Sequence, residues 1–128
     1  MNKQELKNRT KAFAVRVFRF INTLETSRSV NVIAHQILKS CSSVAANYRS
    51  VCRGKSDADF LNKLKMVDEE ADETLFWLEF IDDLEIKCNK SELNYLLRES
   101  NELVSIFSAS IRTIKSKEPN PKSQILNP

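Results

Sequence analysis

Chemistry in this chain would have to start from one histidine, three cysteines and a run of carboxylates. His35 is the only histidine among the 128 residues. A di-iron bundle needs two Glu-x-x-His motifs, and the residue three before His35 is Val32. A lone histidine of this kind reads as structural or exposed. Cys41, Cys52 and Cys88 are odd in number and match no metal or redox spacing, so free thiols in a reducing compartment are expected. The run Asp68-Glu69-Glu70-Ala71-Asp72-Glu73 has no histidine to complete a site and reads as a solvated or ion-paired face. No Cys/His or Ser/His spacing suggests an activated nucleophile. The expectation is a chain with no catalytic residue, no metal, no cofactor and no small-molecule substrate.

The cations are a different matter. Residues 1–55 hold eleven Lys/Arg against two Asp/Glu, and residues 56–102 hold five against fourteen. A net charge of only +3 hides this split. Two partners fit it. One is a polyanion, RNA or DNA, whose phosphates would meet Arg9, Arg16, Arg19, Arg49, Arg53 and Lys55. The other is the chain itself, with basic helices beside the acidic one, within a subunit or across an interface.

The elements that position these residues are helices. One glycine and three prolines are too few for the turns of a sheet protein, and Pro119, Pro121 and Pro128 all lie at the C-terminal end. Leu6, Thr10, Phe13, Val17, Phe20 or Ile21 and Leu24 recur at three- and four-residue steps, which predicts a helix from about Lys3 to Glu25. Residues from Thr26 to Ser29 interrupt the pattern and supply caps. A second stripe of Val30, Ile33 or Ala34, Ile37, Cys41, Val44, Tyr48 and Val51 or Cys52 predicts a helix from Val30 to Arg53. Gly54 then offers the left-handed conformation that ends a helix, and Ser56 caps the next. Phe60, Leu64, Val67, Ala71, Leu75 or Thr74, Leu78 and Ile81 carry a third helix to about Ile86. Ser91 is a candidate cap for a fourth, from Glu92 to Lys117, whose stripe is Leu93, Leu96 or Leu97, Val104, Phe107, Ile111 and Ile114.

Short turns force sequential antiparallel neighbours, so the fold class is all-α, an up-down-up-down antiparallel four-helix bundle over 1–117 with a flexible tail at 118–128. Facing residues of the second and third helices should have numbers summing to about 110. That places Arg53 by Asp57 or Asp59, Lys39 by Ala71 and Asp72, and Asn47 by Leu64. Val15 and Phe18 fall off the first stripe, and Phe76, Trp77 and Phe80 off the third. A helix apolar on more than one side packs on more than its own bundle, so these five residues are candidates for an oligomer interface. No uncharged apolar run reaches membrane-spanning length and no signal peptide is evident, so a soluble cytoplasmic protein is expected.

One family is matched by residues on both sides of Gly54. They are Ser43-Val44-Ala45-Ala46-Asn47-Tyr48-Arg49, Arg53-Gly54-Lys55-Ser56, Ala58-Asp59-Phe60-Leu61-Asn62-Lys63, and Glu69-Glu70-Ala71-Asp72-Glu73-Thr74-Leu75-Phe76-Trp77-Leu78-Glu79. In these segments the chain resembles the bacterial 23S rRNA intervening sequence proteins. Ser50 departs from the glutamate often found there in the family. The resemblance implies a four-helix bundle assembling as a homopentamer. It also implies kinship with accessory proteins of diversity-generating retroelements, which bind nucleic acid and a reverse transcriptase through a basic pentamer surface. The function expected is that of a non-catalytic homo-oligomeric interaction protein. The alternative is a nucleic-acid-binding accessory protein that uses a basic surface of the oligomer.

Overall fold

The computed structural model describes residues 1–54 and 56–117; Lys55 and the expected tail at 118–128 lie outside the described residues. Among the described residues the chain forms four helices and no strand: α1 (Lys3–Asn22), α2 (Arg28–Val51), α3 (Asp57–Asp83) and α4 (Lys90–Lys117). Each packs on its neighbours in sequence, and α1 also packs on α4, which closes the bundle. The direction alternates. Lys63 reaches Ser50 and Thr74 reaches Ser40 between α3 and α2, while Asp68 meets Ser108 and Asp82 meets Lys90 between α3 and α4.

The α2–α3 register is one turn further along than expected: Ser40 and Ser50 meet Thr74 and Lys63 rather than residues near 70 and 60. The reason is that every helical side chain leans toward its own N-terminus. Tips on α2 lean away from the turn and tips on α3 lean toward it. The residue that meets a given α2 side chain therefore lies further up α3. Asn47 does not need a partner across this seam, because its amide donates to Ser43 Oγ on its own helix at 2.8 Å.

The stripes became the core. Val17, Ile37, Cys41, Val67, Leu78, Leu93, Leu96 and Phe107 have no exposed surface. On α4 the buried face runs Leu93, Leu96, Ser100, Leu103 and Phe107, so Leu103 takes the place expected for Val104, which is only half-buried. The buried Ser100 had hidden the step between Leu96 and Leu103. Each helix contributes one buried serine or threonine, namely Thr10, Ser40, Thr74 and Ser100. Thr10 Oγ1 donates to the Lys7 carbonyl at 3.0 Å, and Thr74 Oγ1 lies 2.8 Å from Ser40 Oγ and 2.9 Å from the Glu70 carbonyl. Buried hydroxyls with such partners cost the core little.

Helix ends follow local chemistry. Asn2, Ser27, Ser56 and Asn89 accept from the backbone N–H three residues on, at 2.8–3.2 Å. Asn89, not Ser91, caps α4, so that helix starts earlier than expected. The α1 helix stops at Asn22, and the Thr23 hydroxyl at its C-cap donates to Phe20 O at 2.6 Å. Gly54 does not take the left-handed conformation. Its N–H donates to Val51 O at 3.0 Å, and an added Cβ would sit 3.1 Å from that same oxygen, so glycine serves a close approach here. The left-handed position is instead Glu85, with φ 55°. Glu85 N–H donates to Asp82 O and Ile86 N–H to Ile81 O, the two bonds of a Schellman ending, which stops α3 at Asp83.

Candidate interaction surface

The structure divides the sequence-derived cations by the face of α1 or α2 that carries them. Arg9 and Arg16 point to α4. Arg9 makes a two-pronged pair with Glu99, Nε to Oε2 at 2.7 Å and Nη2 to Oε1 at 2.6 Å, and reaches Glu102 at 3.0 Å. Arg16 repeats the geometry on Glu92, both bonds at 2.8 Å, and its guanidinium lies 3.5 Å from the centre of the Tyr95 ring. Such forks hold planar ions in register. The Arg16 hydrogen bonds hold the Glu92 carboxyl below its ordinary range, and Glu99 holds the Arg9 guanidinium proton still more firmly.

Arg19 and Arg49 are exposed and pair with no carboxylate among the described residues. They flank a groove between α1 and α2, of about 630 Å³, together with Lys7 and Lys11. Its floor holds Ala14, Val15, Phe18, Ala45 and Ala46, and among the described residues no carboxylate lines it. The small alanines on α2 leave the space, and Val15 and Phe18 are exposed in it to 42% and 39%. Arg53 is exposed in the turn after α2.

A second apolar surface lies on α3. Phe76 and Phe80 are 49% and 37% exposed, with rings 5.7 Å apart. Trp77 stands edge-on to both, at 4.9 and 5.5 Å, and is half-buried against the core, so it supports the ridge more than it forms it. Its indole N–H is buried with no hydrogen-bond partner among the described residues. Helical spacing puts Glu69, Asp72, Glu73, Glu79 and Asp83 on the same outer face, all exposed. No ion pair among the described residues joins α2 to α3; within the subunit it is α1 whose arginines pair, with carboxylates of α4.

The remaining titratable groups offer little chemistry. Burial pushes the Cys41 thiol up to about 12, which leaves it an inert core residue. The three cysteines are free, and no group of three His, Cys, Asp or Glu among the described residues is placed to hold a metal ion. No described helix is long and apolar enough to cross a membrane.

Residues 2–109 match the model of the 23S rRNA-intervening sequence protein family. The chain belongs to that family. Among solved structures it is similar to a protein of unknown function from the S23 ribosomal protein family of Bacteroides thetaiotaomicron. The two share 30% identity with a TM-score of 0.77, over 88% of this chain and 99% of that one. Comparison with curated proteins gives no match. Most of the family segments quoted from the sequence lie on α2 and α3, where they include Ala45, Ala46 and Arg49 of the groove and Phe76 and Trp77 of the ridge; Phe80 lies just past them. Sequence periodicity found Val15, Phe18, Phe76 and Phe80 as residues off the stripes. It missed the groove, because the alanines that shape it carry no signal of their own.

Proposed function

We propose that this protein is a non-catalytic interaction module of the cytoplasm that assembles with copies of itself. One observation carries the reading: two solvent-facing apolar surfaces, one rimmed by cations and one flanked by carboxylates, sit on different faces of a bundle whose core is already complete. Large exposed aromatics on a finished fold favour a partner. The number five, and a ring, rest on the family resemblance. Size-exclusion chromatography with light scattering should return a mass several times 14.7 kDa; a monomer at micromolar concentration sinks the proposal.

A second reading draws on the same groove. Lys7, Lys11, Arg19 and Arg49 converge with no carboxylate among the described residues beside them, which favours a phosphate-bearing ligand, RNA or DNA. The absorbance ratio at 260 and 280 nm across the eluted peak tests it. Retained nucleic acid whose affinity falls steeply with salt supports it, and protein free of nucleic acid at low salt removes it.

A further inference from the structure

Resting on that self-association, we infer that the contact between copies runs head to tail, with the Phe76–Phe80 ridge of one copy seated in the α1/α2 groove of the next. The charges choose this pairing. A groove against a second groove sets Lys7, Lys11, Arg19 and Arg49 against their own kind. A ridge against a ridge sets Asp72, Glu73, Glu79 and Asp83 against theirs. Like-charge contacts across an interface are unfavourable and reject the wrong geometry. Only groove against ridge brings opposite signs together around an apolar centre. The groove, at about 630 Å³, is of the size that takes a compact apolar group, and Ala14, Val15, Ala45 and Ala46 offer apolar surface to two phenyl rings, with Asn8, Asn22 and Ser42 also lining it.

The contact has two different halves, so every copy keeps a free groove at one side and a free ridge at the other. Such an interface adds copies until the rotation closes a ring, or extends without end if it does not. It also neutralises the groove cations in every interior contact, which takes that patch away from a polyanion.

The test uses two full-length variants that each lose one half. Val15→Glu with Ala46→Glu fills and recharges the groove. Phe76→Gln with Phe80→Gln removes the ridge and leaves its carboxylates. All four positions are exposed, and circular dichroism with thermal melting checks each fold. The expected result is that each variant alone runs as a monomer, while an equimolar mixture gives a 1:1 dimer that grows no further. Either variant self-associating alone would overturn the inference, because a patch would then be pairing with its own kind. A mixture that stays monomeric would overturn it too. A monomeric unmutated protein is a separate outcome that removes self-association itself. Should either double variant misfold, rim reversals replace them: Lys11→Glu with Arg49→Glu, and Glu79→Lys with Asp83→Lys. Each set should weaken assembly about tenfold, and mixing or combining the two sets should restore it. Absence of that rescue counts against the head-to-tail contact. Unmutated protein recovered as single chains with RNA in the groove counts against it as well.

Discussion

The two sides of helix α1 carry the same kind of charge and put it to opposite uses. Toward α4, Arg9 and Arg16 each grip a carboxylate with two bonds and hold the helices in register. Toward α2, Lys7 and Lys11 look into a groove that no carboxylate among the described residues lines, and Arg19 stands at its rim. A basic helix is therefore no single feature. Its charges mean stability where a neighbouring helix answers them, and association where none does.

Stability alone should separate the α1–α4 seam from the groove. Leu96→Ala, beneath the α1–α4 seam and fully buried, should cost about 3 kcal/mol in urea unfolding, the ordinary result of a core cavity. Val15→Ala, in the groove, should cost under about 0.5 kcal/mol in the unassembled protein. If the groove residue costs as much as the core one, the groove is part of the fold and not a docking surface.

Next come the arginines. Arg9→Ala leaves Glu99, whose side chain is only 15% exposed, without its partner. We expect a loss of about 1–2 kcal/mol. Arg19→Ala and Arg49→Ala should leave the melting temperature of the monomer within the scatter of replicate melts and reduce assembly. The reverse ranking would mean that the contrast between the two sides is wrong.

A pH titration sharpens the seam further. Arg16 holds Glu92 below the ordinary carboxylate range, so the stability from this pair is present above the unfolded-state value and is lost as pH falls through the folded one. Asp68 shifts the other way: burial between α3 and α4 raises it, against the pull of the Ser108 hydroxyl. Protonating Asp68 thus relieves a cost, whereas protonating Glu92 removes a contribution. In carboxyl NMR, Arg16→Gln should bring Glu92 back toward its ordinary value and leave Asp68 unmoved. An unmoved Glu92 would show that the fork does not form in solution.

The smallest effect lies away from both sides. Glu85 holds a left-handed backbone that costs roughly 1 kcal/mol for a residue with a Cβ. Glu85→Gly should stabilise the protein by about 0.5 kcal/mol, with assembly unchanged. Destabilisation on thermal melting would mean that the glutamate side chain contributes more than the strain removes.

What the sequence determined by itself is the set of helices and their buried stripes. Leu6 to Leu24, Val30 to Val51 and Leu64 to Ile81 are legible because a core face repeats every three to four residues whatever it packs against. Ser56 is legible as a cap because capping is local, and the family is legible in the segments around Gly54. Some backbone detail was not. Gly54 was free to be left-handed and is not, while Glu85 is left-handed although nothing in its type asks for it; the bonds to Ile81 and Asp82 decide that. The candidate surface depended most on tertiary structure. Arg9 and Glu99 are far apart in the chain, and Arg16 and Arg19 are close, yet folding gives Arg9 and Arg16 partners and leaves Arg19 on the open rim. Residue type fixes the charge, but helix rotation and register fix what stands across from it, and those are set by the whole core together.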